Sequence, residues 1–484
     1  MFTDLNSKSL RKADLPDKFY WFLRENQMIF DSYHVLVAVS GGMDSIVLLH
    51  LFCLIRVPYH LRLSVIHMNH QLRGEEAELD ELFVQAVCRE KQLPFYSAQF
   101  KVRAYAERHR LSLEEAGRHL RFMFFETIRR QIGAHVIALA HHADDQAETI
   151  LMNLFRGSGL RGLSGISSVR GRIIHPLLFA TRAEIEIWSK EQKLTYRDDR
   201  SNNDRRYRRN AIRWDILVAL KQIYGPSIVA TINRAGAAAR EVETLIGESA
   251  EQAIRCNVLV YENHEFILDI PKFLGYFISI QKELLMVAIR ILRPKAPFVN
   301  FHEIDRCMAL ARAKTGRIEL ADRLEIIRAS DQMFIHRKRS GGEVYRILEL
   351  NQWNSIPEMH GRIRISRVNR QKKIVFRKEP DLEYIDAACA GQNFILRSWR
   401  AGDHFSPLGM KGQKKLQDFF IDEKVPRHRR PLIPILEVNG KIVWVVGMRI
   451  SDHVRLKPTT EQIVQLQWSD DHQEGGSQVF WGHR

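Results

Sequence analysis

The stretch "VLVAVSGGMDSIVLLH" (35–50) constrains the fold more than any other part of the chain. An apolar run of β type meets a Ser-Gly-Gly turn, and a second apolar run of helical character follows at once. Glycines at a strand-to-helix junction bring bare backbone N–H groups up to an anionic ligand. The pattern is not GxxxxGK[ST], so the lysine of the common nucleotide-binding loop is missing. Gly41 and Gly42 make the turn and Met43 opens a helix expected over 43–54, with Ser40 and Ser45 as hydroxyl donors beside it. Asp44 would repel a bare phosphate, which points to Mg2+ between carboxylate and phosphate. The plainer alternative is a helix start where serine caps and glycine turns.

The surrounding sequence repeats the same alternation. The β-type runs "HVLVAVS" (34–40), "LRLSVIHMNH" (61–70), "LPFYSAQF" (93–100) and "HVIALAHH" (135–142) are separated by helical patterns at 75–91 and 112–131. This order predicts a mainly parallel sheet covered on both faces, with ligands at the carboxyl ends of its strands. The chemistry gathers at those ends. In "AHHADDQAETILMNLFRG" (140–157), Asp145, Glu148 and Thr149 share one helix face, and Asp144 pairs with Glu148 at i+4. Acids in a first turn suit the helix dipole, but that does not explain why His141, His142, Asp144, Asp145 and Glu148 all collect at one strand end. The spacing is poor for zinc. In "LSLEEAGRHLRFMFFETI" (111–128), Ser112 and Glu115 fit a capping box, while Arg118 and Arg121 stand one turn apart. Beside a phosphate, these arginines could neutralise charge developing in the transition state.

Beyond "RDDRSNNDRRYRRNAIRWDI" (197–216) the character changes. One long helix is expected over 226–254, further helical patterns to about 315, then β-type runs. The expected organisation is a catalytic domain over 1–217, a mainly helical substrate-binding domain over 218–340, a C-terminal α/β module over 350–468 and a flexible tail over 469–484. The chain carries 73 Lys+Arg against 57 Asp+Glu, a net charge of +16, which favours a polyanionic partner, nucleic acid first. Its five cysteines are scattered and form no CxxC, so a disulfide framework or zinc ribbon is not expected, and a reducing, cytoplasmic setting fits. No apolar run approaches the ~20 residues needed to cross a bilayer, so no membrane partner is expected.

Taken together, Ser40–Ser45, "HMNHQLR" (67–73), the helix 114–121, His141–Thr149, "FRGSGLRGL" (155–163), the arginine-rich 199–213 and "RAGDHFSPLGMKGQKKLQDFFIDEKVPRHRR" (400–430) resemble the PP-loop ATP pyrophosphatases. Within them the chain is similar to the tRNA(Ile)-lysidine synthetases over nearly its whole length. The resemblance implies an α/β, Rossmann-like PP-loop domain followed by a helical domain and a small β-rich C-terminal domain. It also implies ATP cleaved between its α- and β-phosphates with Mg2+, so that the glycine loop holds a departing pyrophosphate and needs no lysine.

The implied reaction joins free L-lysine to C2 of the wobble cytidine of tRNA(Ile) bearing a CAU anticodon, through an adenylated base. Ser40, Gly41, Gly42, Met43, Asp44, Ser45, His67 and Asn69 are then expected at the nucleotide. Asp44 and Asp145 are expected at the metal, and Asp44, Arg118, His141, Asp144, Asp145 and Glu148 at the chemistry. Arg205, Arg206, Arg208, Arg209, Arg213, Lys411, Lys414 and Lys415 are expected on RNA phosphates, where the alternative is solvated surface charge. A homodimer is compatible with the sequence. Thiolation is disfavoured because Cys53 and Cys88 fall in expected helices and not in a CxxC.

Overall fold

A computed structural model describes residues 14–71, 75–197, 208–262, 264–294, 299–338, 343–359, 361–369, 381–390 and 393–470. Arg205, Arg206 and most of the arginine-rich stretch lie outside the described residues, as do residues 72–74 and 471–484.

The first sheet follows from strand sequences that are apolar on both faces. Strands β1 (His34–Ala38), β2 (Arg62–Asn69), β3 (Phe95–Gln99), β4 (Val136–Ala138), β5 (Val169–Arg170) and β6 (Ile173–Ile174) run in the order β3-β2-β1-β4-β6-β5. All neighbouring pairs are parallel except β5 with β6. Val35 and Val37 of β1 point into one core with Val65, Phe52 and Trp188, while Leu36 points into the other with Ile66, Leu120 and Ile137. Alternate residues of one strand are thus buried on opposite sides, which is why the run shows no polar alternation.

Helices α1 (Leu15–Glu25), α2 (Met43–Ile55) and, beyond β6, Arg182–Glu191 cover the first face. Helices α3 (Glu75–Glu90), α4 (Val102–His109) and α5 (Leu113–Gln131) follow β2 and β3, with α4 and α5 on the second face. Ser112 and Glu115 form the expected capping box of α5. Helix α6 (Ala143–Phe155) follows β4.

A short helix at Arg208–Ala211 runs into a π-turn at Ile212–Ile216 and then into Leu217–Tyr224. The long helix appears as Ile228–Arg255 and packs closely on α6 at Gly236, where a Cβ would lie 2.5 Å from Ile150 Cδ1.

Two compact units result. The first holds residues up to Leu320 together with Leu324–His336, and the second begins at Arg337 and includes Ala321–Arg323. Residues 217 and 218 lie inside the first unit. The segment read as mainly helical also carries a five-stranded sheet between Leu259 and Arg337. The second unit is β-rich: a five-stranded and a four-stranded sheet share a core that includes Trp444, Phe394, Ile363 and Leu466. No single described helix is long and apolar enough to cross a membrane.

Candidate active site

The glycine loop leaves β1 at its carboxyl end. Gly41 has φ +95°, a region that only glycine enters without strain. The loop is tied internally by Ser45, whose hydroxyl donates to the Gly42 carbonyl at 2.8 Å and accepts the Ser40 N–H at 3.1 Å. The two hydroxyl oxygens lie 3.2 Å apart, and only Ser40 is exposed. Gly42 caps α2, so Met43 and Asp44 stand in its first turn, Met43 buried and Asp44 half-buried. His67 donates from Nδ1 to the Val39 carbonyl at 2.8 Å, bracing the strand just before the loop. Asn69 donates to Ala77 O and Glu81 Oε2 and accepts the Gln71 N–H, which joins the end of β2 to α3.

Across from the loop, α6 opens with an unusual cap. His142 Nδ1 accepts the Asp145 N–H at 3.4 Å and Asp145 Oδ2 accepts the His142 N–H at 3.1 Å, a capping box with an imidazole in the serine's place. With Nδ1 accepting, the proton of a neutral ring sits on Nε2. That nitrogen lies 3.7 Å from Asp44 Oδ2 and 3.4 Å from Asp145 Oδ2.

Each acid has its own set of cations. Asp144 accepts the Arg182 backbone N–H at 2.9 Å and Lys221 Nζ at 2.6 Å. Asp145 Oδ1 takes Arg209 at 3.0 Å and Arg213 at 2.8 Å, and buried Glu148 takes both arginines as well. Burial opposes the charge of Asp145, yet His142, Arg209, His141 and Arg213 hold it well below the ordinary carboxylate range. Asp144 is lowered too, with burial again outweighed by Arg182 N–H and Lys221. Asp44 shifts the other way: burial raises it, against the pull of His142 and of Arg182, whose guanidinium is 3.7 Å away. Its buried Oδ1 has no hydrogen-bond partner. A carboxylate oxygen left open beside a second carboxylate fits a small hard cation such as Mg2+.

His141 packs against His175 with ring centroids 4.9 Å apart, and burial drives its pKa down to about 3, so the ring is neutral near pH 7. Its buried Nδ1 also has no partner. Arg118 is exposed, its guanidinium 5.7 Å from the ring centre of Phe122 on the same helix. Arg121 approaches His70 Nε2 at 3.4 Å, and its charge helps to depress His141.

Of the basic residues singled out for RNA, Arg208 is exposed, while Arg209 and Arg213 turn inward onto the acids. In the second unit, Lys411 and Lys415 are exposed and Lys414 pairs with Asp422. The neighbouring Phe419 and Phe420 are core residues and offer no surface for stacking. Arg397, also buried, fixes the preceding loop through Asp403 at 2.8 and 2.9 Å and Glu437 at 2.6 Å.

Sequence reasoning missed Arg182 and Lys221 as partners of the acids and gave His142 no separate role. His142 was legible as the second histidine of "HHADD"; the other two carried no spacing that links them to the site.

A parallel sheet with a glycine turn after one strand and an acidic helix start after its neighbour defines a nucleotide-binding α/β domain of the PP-loop class. Residues 17–220 match the family model described as PP-loop domain, and residues 394–468 match TilS substrate C-terminal domain. The tRNA(Ile)-lysidine synthase of Clostridium acetobutylicum is 32% identical over 453 residues, covering 92% of this chain and 97% of that protein. The protein of the same name from Geobacter sulfurreducens is 33% identical over 439 residues, covering 90% and 93%. That from Caldanaerobacter subterraneus subsp. tengcongensis is 29% identical over 466 residues, covering 96% and 99%. The chain belongs to the tRNA(Ile)-lysidine synthase family, a ligase on an ATP-using PP-loop domain.

Proposed function

We propose that this enzyme attaches free L-lysine to C2 of cytidine 34 in tRNA(Ile) with a CAU anticodon, converting ATP to AMP and pyrophosphate. The observation that carries the reading is the meeting of Asp44, from the glycine loop, and Asp145, from the acidic helix, at one imidazole nitrogen. A nucleotide held by the loop is thereby brought beside a set of groups suited to a cationic amine.

The C2 oxygen of the cytidine attacks the α-phosphorus of ATP, a P–O bond forms, and the bond to the β-phosphate breaks. The backbone of Ser40–Ser45 faces the departing pyrophosphate, with the positive end of α2 behind it. Asp44 and Asp145 are the residues that would hold Mg2+, which supplies compensation for charge on the phosphates. His67 and Asn69 keep the adjoining strand ends in register with the loop.

In the second step the ε-ammonium gives one proton to solvent water, the freed amine attacks C2, the C2–O bond breaks, AMP leaves, and the new C–N nitrogen gives its second proton to water. Free lysine, with a side-chain pKa of ~10.4, arrives protonated. Asp145, held ionised, is better suited to orient that ammonium than to take its proton. The arginines on Asp145 and Glu148 must yield part of their hold when the amine binds. Arg121 and Arg118 would offset negative charge on the adenylate. Arg208, Lys411 and Lys415 are the exposed candidates for RNA phosphates. The modified base pairs with A in place of G, changing decoding from AUG to AUA.

The test is mass spectrometry of a nucleoside digest after incubation with CAU-bearing tRNA(Ile), ATP-Mg and labelled lysine. Lysidine with equimolar AMP and pyrophosphate is expected. ADP and phosphate as products, or label that never enters the nucleoside, would overturn the reading.

A further inference from the structure

Helix α6 carries the acids at its start and ends in an apolar patch that the mechanism does not use. Phe155 is 60% exposed and Leu154 52% exposed, and just beyond them Leu160 is 41% exposed. Phe301, from the helix Phe301–Arg312 of the same unit, is 54% exposed. Its ring lies against the bare backbone of Gly159, where an added Cβ would come within 3.0 Å of Phe301 Cζ. One exposed aromatic residue thus precedes the Gly157–Gly159 turn in the chain, and a second packs on the turn itself.

Exposed phenylalanines cost solvation and offer no hydrogen bond, so two at one turn call for a partner with a flat apolar face. The rim identifies its charge. Arg156 and Arg161 are both exposed, and among the described residues Arg161 has Glu243 at 3.6 Å. Aromatic faces between arginines suit unpaired nucleotides, whose bases stack while their phosphates meet guanidinium groups. An uncharged apolar peptide would use the rings but not the two arginines.

We infer that Phe155 and Phe301 form a stacking platform for an unpaired base of the RNA substrate, with Arg156 and Arg161 on the adjoining phosphates. This rests on the proposed reading of the site as RNA-modifying. Distance favours the same RNA molecule. Asp145 and Phe155 stand ten residues apart on this helix, about 15 Å at ~1.5 Å per residue. A cytidine held at the start of α6 would leave a base a few nucleotides away over the platform.

The experiment uses the full chain and full-length CAU-bearing tRNA(Ile) with 2-aminopurine at single anticodon-loop positions. Wild type, Phe155→Leu, Phe301→Leu and the double variant are compared; leucine keeps apolar volume and removes the ring face. Fluorescence quenching at one loop position in wild type, lost in the double variant, is expected, with tRNA affinity reduced roughly 5- to 100-fold. Thermal unfolding midpoints matching wild type exclude misfolding, and Arg156→Gln serves as a second probe that leaves both rings in place. Unchanged affinity and quenching in the double variant overturn the inference. So does a change confined to sedimentation, which would assign the patch to a protein partner. If wild type makes no lysidine yet the variants lose RNA binding, the proposed reaction fails while the platform stands.

Discussion

Asp44 and Asp145 approach the same atom, His142 Nε2, at 3.7 and 3.4 Å, although one belongs to the first turn of α2 and the other to the first turn of α6. The two helices leave neighbouring strands, β1 and β4, whose parallel pairing brings their carboxyl ends together. Adjacent parallel strands are the topological reason a phosphate loop and an acidic helix start can act on one ligand.

Asp44→Asn keeps the side chain's shape but removes the charge behind the orphaned Oδ1. Release of AMP and pyrophosphate should fall at least ~100-fold, with tRNA affinity within twofold of wild type. A large loss of tRNA binding in a filter assay would contradict this division of labour.

Glu148 is buried and holds both Arg209 and Arg213. Arg209 still pairs with Glu148 after Arg213→Gln, so the fold should lose less than the ~3–5 kcal/mol of a fully broken buried pair. The double variant Arg213→Gln with Glu148→Gln should recover part of that loss in urea denaturation. Additive losses would mean that the pair is not coupled.

His141 gives a pH prediction with a definite sign. Its folded pKa of about 3 lies below the ~6.5 of an unfolded histidine, so protons bind more readily to the unfolded chain. Stability from this group is complete above ~6.5 and is lost as pH falls toward 3, by at most ~1.4 kcal/mol per pH unit. Asp145, also depressed, adds its own loss only below the unfolded carboxylate value of ~3.9. Between pH 6.5 and 4.5, His141→Gln should therefore flatten the dependence of unfolding free energy on pH. An unaltered slope would refute the assignment.

Gly165 has φ +66°, and a Cβ there would lie 2.6 Å from Gln146 Oε1, the atom that accepts the Ile166 N–H. Gly165→Ala should lower the thermal midpoint by several degrees. Gln146→Ala should not rescue it fully, because the backbone strain remains.

Lys411 and Lys415 are exposed, whereas Lys414 is held by Asp422. If they meet RNA phosphates, Lys411→Ala and Lys415→Ala should each reduce the salt dependence of tRNA binding by about one unit of log–log slope. Lys414→Ala should change it less. Equal effects from all three would show that the Asp422 pair opens on binding.

Much of the site was readable because its parts are local. A glycine turn between two apolar runs, a Ser112/Glu115 capping box, and acids at the start of a helix each follow from residues within one turn of each other. The alternation of β-type and helical runs likewise announced a covered parallel sheet. The order β3-β2-β1-β4 places the Asp44 loop and "HHADD" side by side, as strand-end chemistry required.

The chain itself determined which functional groups are available and which short segments hold them. Tertiary structure decided their partners. Arg209 and Arg213 read as RNA contacts in a basic run, but the π-turn and the packing on α6 direct them to Asp145 and Glu148. Phe419 and Phe420 follow Lys411, Lys414 and Lys415 closely in the chain, but they fill a core. Asp144 and Asp145 are adjacent in sequence, yet one binds Lys221 and the other two arginines, because charge responds to whatever lies within a few ångströms, however distant along the chain.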